Sequence, residues 1–193
     1  MNSRERILTS LSHKEPDRVP IDLNGTAATA MAAMAYNKLA PHLGVNQPPK
    51  IWDPYQLIGE PDPSILERFG SDTLPVPMPI PGLDLQNPQW KSWSLPDGSQ
   101  GLIPEGFSPV AQPDGDFIVI NGPFEHRLPA GGFYFDQVRF PLADASSVRE
   151  IEQFNIPDFS DDQLLWMGKI AQDVFENTDK FIMCRYRSSI LER

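Results

Sequence analysis

The sequence predicts an α/β fold in which strand and helix units of parallel type are interrupted by an antiparallel β insertion. Three observations carry this reading. Amphipathic helices and short apolar strands occur together at both ends of the chain, a strand near residue 20 opens into a polar turn, and residues 90–140 replace helical periodicity with short β segments divided by turn residues. The 193 residues are 40% hydrophobic, enough to pack a core in one domain spanning 1–193. With 21 prolines and 13 glycines the chain breaks often, so its loops are numerous.

Asn2 or Ser3 can cap the first helix, Glu5 stands where a capping box places a carboxylate, and Ile7, Leu8 and Leu11 make one apolar stripe. Pro16 and Pro20 forbid continuation of that helix. Val19, Ile21 and Leu23 then alternate with Asp22, predicting a strand over 19–23 that delivers the polar turn Asn24-Gly25-Thr26. In parallel α/β proteins the carboxyl ends of strands carry the ligands. Residues 27–40 are alanine-rich, with Met31, Met34, Tyr36 and Leu39, and predict a helix stopped by Pro41 and Gly44. A further helix is capped by Asp62, takes Pro63 at its first position, turns Ile65, Leu66 and Phe69 inward and stops at Gly70. Residues 73–76 predict a second buried strand. The alternate prolines from Pro75 onward, ending at Gly82, enforce an extended path into the insertion.

Within 90–140 the turn signals are Pro96-Asp97-Gly98, Pro113-Asp114-Gly115 and Asn121-Gly122. The last predicts a hairpin between 117–120 and 124–128, widened by Pro123, with Phe117 and Val119 on one face and Ile118 and Ile120 on the other. Neither face holds a charge among these four residues. Both need cover, and a homodimer formed through this insertion is expected. Beyond it, Ser147 with Glu150 and Ser160 with Gln163 make capping boxes for two helices. The second and longer helix carries Leu164, Met167, Ala171, Val174 and Phe175. Residues 181–183 are continuously apolar, as in a strand covered on both faces, and Ser188-Ser189 with Ile190 and Leu191 predict the start of another helix.

Sixteen basic against 26 acidic residues leave a formal charge of -10, which disfavours nucleic acid and anionic membranes as partners. No segment approaches the roughly 20 apolar residues of a membrane span, and the charged amino terminus does not read as a leader, so a cytoplasmic protein is expected. Cys184 is the single cysteine, which excludes an internal disulfide and a multi-cysteine metal site within the chain.

The candidate substrate-binding residues fall in two groups. Asp22, Asn24 and Gly25 follow the first strand. The carboxylate and amide can hold a polar substrate while Gly25 admits close backbone approach, or the same side chains can cap the turn's own amides. Arg185 and Ser188 follow the last strand, where an arginine can grip a carboxylate, or can make surface ion pairs beside a serine cap. Neither group identifies a catalytic residue. His13, His42 and His126 share no ligand spacing with Cys184, so no metal site is expected inside the chain. His13 is expected to face the terminal carbonyls of the first helix. Phe133, Tyr134 and Phe135 can border a flat substrate or pack a strand.

The run SRERILTSLSHKEPDRVPIDLNGT resembles the amino terminus of the uroporphyrinogen decarboxylase-like (URO-D) superfamily, and is most similar in appearance to the branch that includes corrinoid-dependent methyltransferases. The resemblance continues through Asp53-Pro54-Tyr55-Gln56, Leu66-Glu67-Arg68-Phe69-Gly70 and Gly131-Gly132-Phe133-Tyr134-Phe135-Asp136. It implies the amino-terminal part of a TIM-type (β/α)8 barrel. A complete barrel needs about 250 residues, and three parallel-strand candidates with an insertion of about fifty residues make an incomplete one, so a longer parent polypeptide is expected. The resemblance also implies a methyltransferase that moves a methyl group between a small methylated compound, or a methyl-corrinoid protein, and a thiol or folate acceptor activated by a metal. Zinc and a corrinoid are then implied for the full-length enzyme, with no cofactor held inside this chain. The His-X-Cys zinc pair of that branch has no match here, and its region would lie beyond Arg193.

Two further functions stay open. Uroporphyrinogen decarboxylases, lyases of porphyrin biosynthesis, carry an arginine-rich loop after the first strand and an aspartate after the second. Here those places hold Asn24-Gly25-Thr26-Ala27 and Pro75-Val76-Pro77. Likewise Arg185-Tyr186-Arg187 departs from the small residues common in the superfamily after the corresponding strand. The third function is a noncatalytic or truncated binding module.

Overall fold

The computed structural model describes residues 1–80, 82–155 and 159–184, and these described residues are mixed α/β with four small sheets. Helix α1 (Ser3–Leu11) opens with the expected capping box: Asn2 Oδ1 accepts from the Glu5 amide at 2.8 Å, and Glu5 Oε2 accepts from the Asn2 amide at 3.0 Å. Its inward face is not the apolar stripe. Ser3 and Arg6 are buried, while Leu8 and Leu11 are at least half exposed. Arg6 turns inward because two carboxylates, Asp17 and Asp72, lie beneath the helix, and pairing them outweighs burying two leucines. His13 takes a left-handed conformation (φ 55°) just past the helix end.

Residues 19–23 do not form the expected strand. They run beside strand β3 (Thr73–Pro75), but only one backbone bond joins them, from the Asp72 amide to the Ile21 carbonyl at 2.7 Å. Side chains take the other ladder positions: the Ile21 amide donates to Asp72 Oδ2 and the Leu23 amide to Ser71 Oγ. Pro20 supplies no donor at all.

The predicted helix over 27–40 is broken in two. A 3-10 turn at Ala27–Thr29 and helix α2 (Ala33–Leu39) flank a segment that pairs instead with a hairpin the sequence did not reveal, β1 (Ile51–Asp53) and β2 (Ile58–Gly59). Ala32 bridges Ile58, and the Ala33 amide donates to the Leu57 carbonyl. Helix α3 (Pro63–Arg68) is capped by Asp62, whose Oδ1 accepts from the Ser64 amide at 2.9 Å, and Gly70 ends it at φ 67°.

The insertion has the expected antiparallel character but is two sheets. Strands β4 (Trp90–Ser94) and β5 (Gln100–Pro104) form a two-stranded sheet, which Lys50 joins through a single parallel bridge to Leu102. Strands β6 (Val110–Ala111), β7 (Phe117–Asn121), β8 (Phe124–Leu128) and β9 (Asp136–Arg139) form a four-stranded sheet in chain order. Asn121 pairs with Phe124, so the loop is Gly122-Pro123, one residue later than the sequence suggests and two residues long. Gly122 at φ 57° supplies the positive angle that such a loop needs at its first position, and Pro123 then fits the second. Side chains alternate as predicted: Val119 is buried and Ile120 is 67% exposed.

Helices α4 (Val148–Gln153) and α5 (Asp161–Asn177) follow, each capped by its serine. Strand β10 (Phe181–Met183) pairs parallel with β3, Phe181 opposite Thr73 and Met183 opposite Pro75. Arg4 ties α1 to the end of α5: its Nη2 donates to the carbonyls of Phe175 and Thr178, and its guanidinium sits 4.0 Å over the Phe175 ring.

The main core is not under the parallel pair. Ala33, Met34, Ile51, Leu57, Leu95, Ile103, Phe107, Val119, Leu128 and Phe135 form it, joining α2 and the β1–β2 hairpin to the insertion. No residue of α5 is buried, and Leu164 and Phe175 from its predicted apolar stripe are each more than half exposed.

Candidate functional site

The turn after residue 23 lies against the parallel pair. Asp22 Oδ1 accepts two hydrogen bonds, from the Gly25 amide at 3.0 Å and from Thr73 Oγ1 at 2.6 Å. Asn24 occupies the left-handed region at φ 68°, and its amide donates to the Thr29 carbonyl at 3.1 Å. Gly25 is wedged where no side chain fits: a Cβ would stand 2.3 Å from Asp22 Oδ1, 2.8 Å from Thr73 Oγ1 and 3.0 Å from Met183 Cγ. Asp22, Asn24 and Gly25 are thus joined by Thr73 on β3 and Met183 on β10. Arg185 and Ser188, with the helix predicted from 188, lie outside the described residues.

Thr73 and Ser71 belong to this corner and were missed. Ser71 Oγ donates to the Leu23 carbonyl at 3.0 Å and lies 3.5 Å from Thr73 Oγ1, and both residues are almost fully buried. The signal was present in the sequence as three polar residues, Ser71, Asp72 and Thr73, set at the start of a strand read as buried.

Below the corner, the fully buried Asp72 carboxylate gathers two arginines. Arg6 Nη1 approaches Oδ1 at 2.5 Å, Arg18 Nη1 approaches Oδ2 at 2.8 Å, and the Ile21 amide donates to Oδ2 at 2.9 Å. Burial pushes the Asp72 pKa upward. The Ile21 amide, the Ser3 hydroxyl and the two guanidinium groups together overcome it and hold the group below its ordinary value. Arg6 also binds Asp17 bidentately, at 2.7 and 3.0 Å, and that hydrogen bonding holds Asp17 well below the usual carboxylate range. These groups are spent on one another and serve as structure.

His126 shares no ligand spacing with Cys184 or with the other two histidines. In the fold its ring lies 4.4 Å from the Tyr55 ring, and burial lowers its pKa. The unfolded chain therefore binds a proton more readily than the folded one. Stability should be full above about pH 6.5 and should fall as pH drops from there through the folded pKa. Urea midpoints at pH 7.5 and 5.5 should differ in the parent protein, and His126→Phe should shrink that difference. An unchanged difference assigns it to other groups.

Among the described residues no three His, Cys, Asp or Glu side chains lie together as a metal group, and Cys184 is exposed beyond β10. Nor is any described helix long and apolar enough to cross a membrane. Phe135 of the aromatic run is buried in the main core, whereas Phe133 and Tyr134 are exposed. No family model, curated protein or solved structure matches this chain.

Proposed function

We propose that the chain is the amino-terminal part of a TIM-type (β/α)8 barrel and works as a uroporphyrinogen decarboxylase-like methyltransferase of the corrinoid-dependent type on a small methylated substrate. The observation that carries this reading is the Gly25 corner. Residues 19–23, β3 and β10 lie side by side in chain order, and the turn after the first packs on Thr73 and Met183 of the other two. That is where a parallel α/β unit holds its ligand.

The corner favours methyl transfer over decarboxylation for an electrostatic reason. It presents the Asp22 carboxylate and the Asn24 amide with no described arginine bonded to either, and a tetrapyrrole bearing several carboxylates would meet like charge there. In methyl transfer the acceptor's electron pair forms the new bond to the methyl carbon, and the donor leaves with the pair that bound it. Asp22 orients the substrate, and Gly25 lets Thr73 and Met183 close on the turn so that the Asp22 carboxylate is held in place. The described residues offer no zinc set, so activation of the acceptor is assigned to no residue of this chain. A corrinoid protein and a second copy of the chain belong to the same proposal as partners.

The test is anaerobic incubation of the longer polypeptide that carries this chain with zinc, methylcobalamin and 2-mercaptoethanol, following the cobalamin spectrum. Demethylation that depends on that polypeptide is expected. Gly25→Ala, whose methyl group would displace the Asp22 carboxylate, should slow it about tenfold or more. Absence of demethylation overturns the reading. Carbon dioxide release from uroporphyrinogen would then favour the decarboxylase, and inactivity on both substrates the binding module.

A further inference from the structure

The chain holds two Asn-Gly pairs, Asn24-Gly25 and Asn121-Gly122, and the fold gives them opposite surroundings. An asparagine followed by glycine is chemically labile, because a backbone nitrogen with no side chain beside it can reach the asparagine Cγ unhindered. Its reaction then depends on the freedom of that nitrogen.

Asn24-Gly25 is locked. Both residues are buried, the Gly25 amide donates to Asp22 Oδ1 at 3.0 Å, and a Cβ at Gly25 would meet Asp22, Thr73 and Met183. The carboxylate also opposes loss of the amide proton, since the resulting anion would face like charge. Asn121-Gly122 is the reverse. Gly122 is exposed at the tip of the β7–β8 hairpin, nothing lies within 4 Å of where its Cβ would stand, and its amide makes no hydrogen bond among the described residues. Asn121 Nδ2 donates to the Tyr55 hydroxyl at 3.2 Å, a neutral hydrogen bond weaker than the charge-assisted one at Gly25.

We propose that Asn121 is a site of spontaneous deamidation and that the fold protects Asn24 from the same reaction. The Gly122 backbone nitrogen gives up its proton to solvent and bonds to Asn121 Cγ. The bond from Cγ to Nδ2 breaks, and the side-chain nitrogen leaves as ammonia with a proton returned by solvent. Water then opens the cyclic succinimide at either carbonyl, giving aspartate or isoaspartate, so one water enters for each ammonia lost. The aspartate can keep its place, because the Tyr55 hydroxyl can donate where it had accepted. The isoaspartate cannot: it adds a backbone carbon beside a two-residue loop and breaks the pairing of Asn121 with Phe124. The site is independent of the chemistry proposed for the Gly25 corner.

The experiment incubates the whole chain at mildly alkaline pH, folded and in urea, and follows both pairs by peptide mass spectrometry, with isoaspartate scored by enzymatic carboxyl methylation. In the folded chain the peptide holding Asn121 should gain about 1 Da and divide between aspartate and isoaspartate, while that holding Asn24 should react about tenfold or more slowly. In urea the two rates should converge, which assigns the difference to the fold. Tyr55→Phe keeps the ring against the core and removes the acceptor of Asn121 Nδ2, so it should quicken the reaction at Asn121 and leave Asn24 unchanged. Equal rates at the two sites in the folded chain, or no mass gain at Asn121 when both sites react in urea, overturns the proposal.

Discussion

Asp72→Ala should destabilise the folded chain by about 3–5 kcal/mol, the cost of removing one partner from a buried ion network. The carboxylate is inaccessible to solvent, and Arg6, at 9% side-chain exposure, would lose its inner counter-charge. The Ile21 amide would lose its acceptor as well. Folded domains are stable by only about 5–15 kcal/mol, so the variant should unfold at a much lower urea concentration. A companion variant, Asp72→Leu with Arg6→Met and Arg18→Met, removes the charges together and should recover much of the loss, because apolar replacement of a whole buried network is close to neutral. A midpoint for Asp72→Ala equal to that of the parent protein would refute the structural role given to this network. The same groups set an acid limit. Asp72 and Asp17 have folded pKa values below their unfolded ones, so their stabilisation is complete above about pH 4 and is lost as pH falls through the folded values.

The second large effect is expected at Phe107, where truncation to alanine should cost about 3–5 kcal/mol. Phe107 is 1% exposed and lies edge-on to two rings, Tyr55 at 5.1 Å and Phe135 at 5.6 Å between centroids. It therefore joins β1–β2, the segment after β5 and the approach to β9. Phe107→Leu keeps most of the volume and should cost clearly less, about 1.5 kcal/mol, since the ring contacts are lost but no large cavity opens. If the two substitutions shift the urea midpoint equally, cavity formation is not what the alanine variant measures. Substitutions on the outer face of α5, such as Leu165→Ala, should change the midpoint little, because no residue of that helix is buried.

The contrast between these two regions bears on where ligands can act. Phe107 belongs to the core around the insertion, which holds most of the buried apolar side chains. The Gly25 corner is instead held by hydrogen bonds among Asp22, Ser71 and Thr73 and by the ion network one residue away at Asp72. Substitutions in the network should therefore disturb the corner as well as overall stability. Those at Phe107 should act through stability alone. Comparing the Gly25 backbone amide resonance in Asp72→Asn and Phe107→Leu, at a urea-free condition where both are folded, separates the two.

Local features were determined by the sequence alone, because they depend on neighbours in the chain. The capping boxes at Asn2 and Ser160, the stop at Gly70, the turns of the insertion and the alternation through β7 each need only a few adjacent residues. The tight turn at Gly25 was legible too, from a glycine set inside the polar run Asn24-Gly25-Thr26. Tertiary structure decided which faces are buried and which residues meet. Arg6 faces inward against the leucine stripe because Asp17 and Asp72 arrive from 11 and 66 residues away. Residues 19–23 forgo strand pairing because the side chains of Ser71 and Asp72 bind their backbone, and the alanine-rich helix breaks because residue 32 finds Ile58. Thr73 joins the corner for the same reason. A carboxylate or hydroxyl from a distant segment can outweigh a local preference worth less than about 1 kcal/mol per residue, and composition at the site itself carries no record of that partner.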